Sequence, residues 1–235
     1  MKLDSNSFFS IPEWENIPFI VHGFGDKSWE KKDLEGHLRM QNFKPVFLHQ
    51  IHSDILHVVN DVPEEMLSGD ALLTDMSGLL LVIKTADCLP VLIADPYKKV
   101  VAAIHCGWKS ASQRLAQKVV RRLEEHYQCD PSSLLVALGP CIGKDCYEVG
   151  EDVRQEFEAR GFKEDVFLPH PLFGKYYLDL RLSIKHQLMD GGVMGSNIAM
   201  VDLCSHCEEN LLSYRQSPQS EGRMLSFIGL TSPFV

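Results

Sequence analysis

The sequence lacks a long apolar run. Its most apolar stretch, near 79–94 (LLLVIKTADCLPVLIA), is interrupted by Lys84 and Asp87. It falls short of the ~20 residues a membrane-spanning helix needs. It also lacks an excess of cations: 23 Lys and Arg stand against 32 Asp and Glu, a formal charge of −9. Few cations are therefore available to displace counterions from phosphates, so neither nucleic acid nor a membrane is an expected partner. There is no GxGxxG or P-loop pattern to cradle a nucleotide phosphate and no GxSxG nucleophile elbow. No repeat, low-complexity tract or long linker divides the chain, so one domain over 1–235 is expected. The start, MKLDSNSFFSIPEWENIP, has acidic residues and no apolar core, and it does not read as a secretory signal.

What is present is an ordinary globular composition, with 45% hydrophobic and 23% charged residues. A chain of this length can bury roughly 70% of its unfolded surface, so it does not need a metal or disulfide merely to fold. Seven cysteines is a high and odd count, so they cannot all pair internally. Without a signal or a membrane span, the thiols point to a reducing cytoplasm. There most cysteines serve as small buried hydrophobes and a minority as ligands or nucleophiles.

Local patterns sketch a mixed α/β architecture. Strands are expected at 18–22, on either side of a turn near Ser53 within 46–60, and at 70–75, 79–83, 90–94, 99–104, 134–138, 198–202 and 225–230. Runs such as LLLVI and KVVAAI are apolar throughout, as strands covered on both faces are. DPYK at 95–98 reads as a turn that would pair the strands around it as a hairpin. The spacing of Leu115, Val119, Val120 and Leu123 predicts an amphipathic helix over 111–127, with Ser110 or Ser112 as its N-cap. Further helices are expected over 150–160 and 181–190. Several neighbouring strands are joined by short turns, so the sheet should be mixed.

Metal ligands need a fixed direction, which favours strand ends and tight turns. His52 stands at the break between two strands, Cys88 follows a buried strand, and His105 ends another just before Gly107, a residue able to supply a tight turn. Two imidazoles and one thiolate leave a fourth tetrahedral position open, the arrangement of a catalytic zinc. The alternative is a core thiol and two half-buried polar histidines. CSHC at 204–207 competes as a metal motif: with Cys141 and Cys146 it would make a four-cysteine structural zinc site. A redox pair is a third reading, which requires a helix after the motif; packing is the fourth. Trp108 could stack on a planar substrate, and Lys109, Arg215 and Arg223 could meet an anion such as phosphate.

The strings QIHS (50–53), DALLTD and GLLLVIKTADCLPVLIADP (70–96), AAIHCGWKS (102–110), LGPCIGKDCYEVGEDV (138–153), LDLR (178–181), and CSHC with SYRQ and EGR (204–223) occur in that order. In this the chain resembles the YfiH-type, laccase-domain family from about 46 to 230. Members have been called multicopper polyphenol oxidoreductases and, later, purine nucleoside phosphorylases with adenosine deaminase activity. The resemblance implies one domain of packed mixed β-sheets flanked by helices. It implies His52, Cys88 and His105 as metal-binding and catalytic residues, with zinc as the cofactor and copper as the alternative. The implied partners are a purine nucleoside and phosphate, handled by a monomer or small homo-oligomer. The implied reactions are phosphorolysis of adenosine, inosine, guanosine or methylthioadenosine, and deamination of adenosine. Asp75 and Glu148 are the nearest candidates for a general acid. A copper-dependent polyphenol oxidase and a non-catalytic metal-containing module are the rival readings. Two departures stand out: HCGWKS replaces the family's usual HAGWRG, and Gln216 replaces the second arginine of SYRR. A lysine at 109 keeps the charge but loses the bidentate fork suited to phosphate.

Overall fold

Residues 8–29, 34, 36 and 42–231 are described by a computed structural model of the chain. The fold is mixed α/β. Its strands in chain order are β1 (Phe8–Phe9), β2 (Ile20–Gly25), β3 (Lys44–Val46), β4 (Leu56–Val58), β5 (Ala71–Thr74), β6 (Leu79–Thr85), β7 (Leu89–Asp95) and β8 (Val100–Cys106). They continue as β9 (Leu135–Leu138), β10 (Glu148–Gly150), β11 (Phe167–Pro169), β12 (Lys175–Leu178), β13 (Ile198–Met200) and β14 (Met224–Leu230). One mixed sheet has the order β1-β2-β14-β6-β3, a second mixed sheet has the order β13-β9-β7-β8-β5-β4, and a small antiparallel sheet has the order β10-β12-β11.

Alternate residues of the apolar strands face different neighbours, which is why the runs show no polar face. In β7, Leu92 and Ala94 join Leu81, Ile83 and Ile228 of the five-stranded sheet in one core. Val91 and Ile93 point the other way, into a core shared with the helices. The same alternation in β8 sends Val101 and Ala103 to the first core and Ala102 and Ile104 to the second. The six-stranded sheet is thus a middle layer, covered by a sheet on one face and by helices on the other.

The helix expected over 111–127 is two helices, α1 (Trp108–Ser112) and α2 (Leu115–Tyr127). Arg114 breaks them with a left-handed φ of 59°. Neither Ser110 nor Ser112 is an N-cap. The cap of α1 is Gly107, whose N–H donates to the buried Ser110 Oγ at 3.0 Å, while Ser110 in turn donates to the His105 carbonyl at 3.1 Å. Ser110 therefore braces the corner where β8 turns into α1. The helices α3 (Glu151–Ala159) and α4 (Leu180–Asp190) lie where the sequence places them. The hairpin expected around 95–98 is β7 antiparallel to β8, with Pro90 opposite His105. Among the described residues, no helix is long and apolar enough to cross a membrane.

Candidate metal centre and cleft

The chain passes from the five-stranded to the six-stranded sheet between β6 and β7, and Cys88 stands at the end of that crossing. β8 runs antiparallel to β7, so His105 arrives at the same edge; β5 begins beside it, with Ala71 opposite Ile104. His52 comes from the loop before β4. The structure brings the three together: one ligand atom from each of His52, Cys88 and His105 lies within 4.8 Å of the others. Cys88 Sγ is 3.8 Å from His52 Nε2, and the two imidazoles meet edge to face with centroids 4.8 Å apart. A tetrahedral zinc with Zn–S of about 2.3 Å and Zn–N of about 2.0 Å would separate sulfur and nitrogen by roughly 3.5 Å. The donor set and its spacing fit such an ion.

Asp70, a residue the sequence reading passed over, organises the centre. Fully buried at the start of β5, it accepts a hydrogen bond from His105 Nδ1 at 2.8 Å. A carboxylate can only accept, so the proton sits on Nδ1 and Nε2 is left to face the cluster. Asp70 also accepts from His52 N–H at 3.1 Å, from Ser53 N–H at 2.6 Å and from Ser53 Oγ at 2.8 Å. These bonds hold His52 at a left-handed φ of 58°, unusual for a residue other than glycine. Burial would raise the Asp70 carboxyl, but the bonds from His105 and Ser53 outweigh it and hold it below the usual range. Burial also opposes ionisation of Cys88; the neighbouring His105 and His52 imidazoles overcome it and bring the thiol down to about 6. The cluster therefore favours the thiolate, the form that binds metal.

Gly107 serves these ligands by its missing side chain rather than by a turn: its φ is −84°, not left-handed. A Cβ there would stand 2.8 Å from His52 Cδ2 and 3.1 Å from Cys88 Sγ. Asp87, at φ 86°, is another residue that sequence reasoning missed. Its carboxylate accepts from Ser205 Oγ at 2.7 Å and from Arg215 N–H at 2.8 Å, drawing the 205–215 loop to the metal centre. Gln50 pairs its amide with both backbone groups of Lys84 at 2.8 Å, fixing the loop that carries His52 to β6. A buried acid beside a strand end and an Asp before the Cys were the available signals for Asp70 and Asp87. Neither says what the carboxylate will meet.

The cluster forms the floor of a cleft of about 660 Å³. Trp108, Lys109, Arg215 and Arg223 all line it, together with Lys84, Tyr147 and Tyr214. The Arg215 guanidinium lies 5.1 Å over the Tyr147 ring, and Lys109 lies 5.6 Å over Trp108. Among the described residues, four cations thus line one cleft in a chain of charge −9, and the one acidic lining residue, Asp87, is already hydrogen-bonded through both oxygens. Such a cleft concentrates small anions. Gln216 is exposed and does not line the cleft. Neither of the two carboxylates suggested as general acids lines the cleft. Asp75 follows the far end of β5, about 13 Å from the His105 end at the rise of an extended strand. Glu148 pairs with Lys175 at 2.9 Å and with His170 at 3.4 Å.

Of the remaining thiols, Cys106, Cys129 and Cys141 are buried in the helix-side core. Cys141 directs its Sγ to the Ile142 carbonyl and, among the described residues, does not join the donors gathered at Cys146 and Cys207, so the competing four-cysteine site is not assembled. CSHC lies in a turn with no helix after it, which removes the redox-motif context.

The profile of a family described as multi-copper polyphenol oxidoreductase laccase matches residues 29–231. The chain is 36% identical to a purine nucleoside phosphorylase of Clostridium acetobutylicum, over 97% of each chain. It is 34% identical to the purine nucleoside phosphorylase YfiH of Escherichia coli, over 80% of this chain and 74% of that one. It is 34% identical to an adenosine deaminase of an unknown prokaryotic organism, over 72% of this chain and 65% of that one. Among solved structures, Bacillus licheniformis YfiH superposes with a TM-score of 0.89 at 26% identity, covering 98% of each chain.

Proposed function

This chain belongs to the YfiH-type, multi-copper polyphenol oxidoreductase laccase family, and we propose that it is a zinc-dependent purine nucleoside phosphorylase that also deaminates adenosine. The observation that carries the reading is the placement of Lys84, Lys109, Arg215 and Arg223 around one cleft whose floor is His52, Cys88 and His105. Cations that attract phosphate beside a centre able to activate water suit both phosphorolysis and deamination of a neutral nucleoside. The names of the related enzymes point the same way.

His52, Cys88 and His105 would hold the ion, with Asp70 fixing the His105 imidazole and the His52 backbone. Zinc in a three-ligand site supplies a Lewis acid with one open position, which makes water a nucleophile near neutral pH. Arg215 and Lys109 would bind phosphate through charge-assisted hydrogen bonds and orient one oxygen toward C1′ of the ribose. Phosphorolysis then forms the C1′–oxygen bond as the C1′–nitrogen bond to the purine breaks. The purine leaves with the proton that dihydrogen phosphate gives up, and the products are the free base and ribose 1-phosphate. In deamination, water adds at C6 of the purine and ammonia leaves. Trp108 and Tyr214 offer flat apolar faces to the base.

The test is incubation of the purified protein with adenosine, with and without phosphate, and chromatography of the products. Adenine that appears only with phosphate, and inosine that appears in both, are expected. Zinc-loaded protein that turns over no nucleoside would sink the reading in favour of a non-catalytic module. Several coppers per chain with oxidation of phenols would replace it with the polyphenol oxidase.

A further inference from the structure

A second group of thiols lies outside the cleft, where two loops cross. β9 and β13 are parallel neighbours, so the loops that follow them leave the same end of the sheet. An isolated bridge then joins Cys141 to Cys204. At the crossing Cys146 Sγ is 3.4 Å from Cys207 Sγ, and ligand atoms of Cys146, His206 and Cys207 all lie within 4.8 Å of one another. Cys204 lies beside the group: its Sγ accepts from Gly143 N–H at 3.1 Å, and its thiol feels those of both Cys146 and Cys207. Gly143 suits that approach, since a Cβ there would stand 3.2 Å from Cys204 Sγ.

We propose that Cys146, Cys204, His206 and Cys207 form a second metal site, a closed Cys3His site for zinc that ties these two loops together. The sulfur separation supports it. At 3.4 Å, Cys146 and Cys207 are far beyond a disulfide bond of about 2.05 Å. They are close to the roughly 3.8 Å between two sulfurs on one tetrahedral zinc. Three thiols and an imidazole select a thiophilic ion over magnesium or calcium, which prefer oxygen. Four protein donors leave no open position, the mark of a structural rather than a catalytic zinc. A backbone N–H directed at a sulfur is the kind of outer contact that orients a thiolate ligand. Cys207 is exposed, so the ion has a path in.

The site would also act on the cleft. Tyr147 directly follows Cys146, and Tyr214 and Arg215 follow Cys207 by seven and eight residues. Holding the two loops together would position Arg215 over Tyr147.

The full chain, purified in reducing buffer without chelator or nickel resin, is analysed for zinc by elemental analysis. About two zinc ions per chain are expected. Cys207→Ser and Cys88→Ala should each keep about one, and the double variant none. Cobalt-loaded Cys88→Ala should show the sulfur-to-metal charge-transfer band of a thiolate-rich tetrahedral site. Should Cys207→Ser fail to fold, alkylation of the unaltered chain decides: zinc should protect Cys146, Cys204 and Cys207 in peptide maps. One zinc per chain, equal alkylation with and without zinc, or a Cys146–Cys207 disulfide in the reduced preparation would each overturn the proposal.

Discussion

The two histidine–cysteine clusters of this molecule use similar donors in opposite ways. His52, Cys88 and His105 stand on strand ends and a strained turn, offer three ligands, and open onto a cationic cleft. Cys146, His206 and Cys207 stand on two loops, gather three donors with Cys204 beside them as the proposed fourth, and do not line that cleft. The first is held from outside by a buried carboxylate, Asp70; the second by a backbone N–H from Gly143. The number of donors and the rigidity of what carries them, rather than donor chemistry, separate a centre fit for reaction from one fit for stapling.

The comparison is broken most severely by removing a ligand of the first cluster. Cys88→Ala or His52→Ala should lose that metal and lower nucleoside turnover by about a thousandfold or more, since a Lewis acid contributes several kcal/mol. Metal content and turnover measured on the same preparation check this, and activity surviving either change removes that residue from the centre.

A histidine in neither cluster supplies the control for acid effects. His22 is buried, accepts a hydrogen bond from Ile11 N–H at 2.9 Å and packs on Trp14. Burial, against the opposing pull of Glu15, brings it from 6.5 down to about 4. Its folded form thus binds fewer protons than its unfolded form. The stabilisation is complete above pH 6.5 and is lost as pH falls toward 4, by up to about 3 kcal/mol. Denaturant midpoints at pH 7.5 and 4.5 should show the loss in metal-depleted protein as well, and His22→Gln should shrink the difference. A loss confined to metal-loaded protein would assign the acid sensitivity to the clusters instead.

Asp70→Asn tests the outer support of the first cluster. It should weaken metal binding there by about 10–100-fold and leave the second cluster's ion in place. Competition with a chromophoric chelator reads both sites. Equal weakening at both would mean that the clusters are not independent.

The smallest effect is expected from Arg215→Lys, which keeps the charge and loses the fork. The KM for phosphate should rise by about tenfold, with adenosine deamination in the absence of phosphate nearly unchanged. A parallel fall in deamination would show that Arg215 serves the nucleoside rather than phosphate.

Much of the frame was legible because burial on both faces leaves continuous apolar runs, as at 79–83, 90–94 and 99–104, and these became β6, β7 and β8. That His52, Cys88 and His105 meet was suggested by their places at strand ends or breaks, and only the family resemblance set that reading above a core thiol and two half-buried histidines. The split at Arg114 was not, because apolar spacing carries across a single left-handed residue. The role of Gly107 was misread as a turn because a glycine needed for space looks the same in sequence as one needed for a positive φ. His206 was passed over in favour of Cys141: spacing within 138–153 cannot show that one thiol turns into the core while the other meets the CSHC loop.

Local chemistry therefore determined what the chain contains: doubly buried strands, a helix-forming segment after β8, an acidic exterior, and donors suited to a thiophilic metal. Tertiary structure decided which donors meet. The His52 to Cys88 distance depends on how two sheets stack, and the Cys146 to Cys207 distance on two parallel strands releasing their loops at one end. Contacts between residues 36 or 61 positions apart follow from packing of whole layers, which no local pattern records.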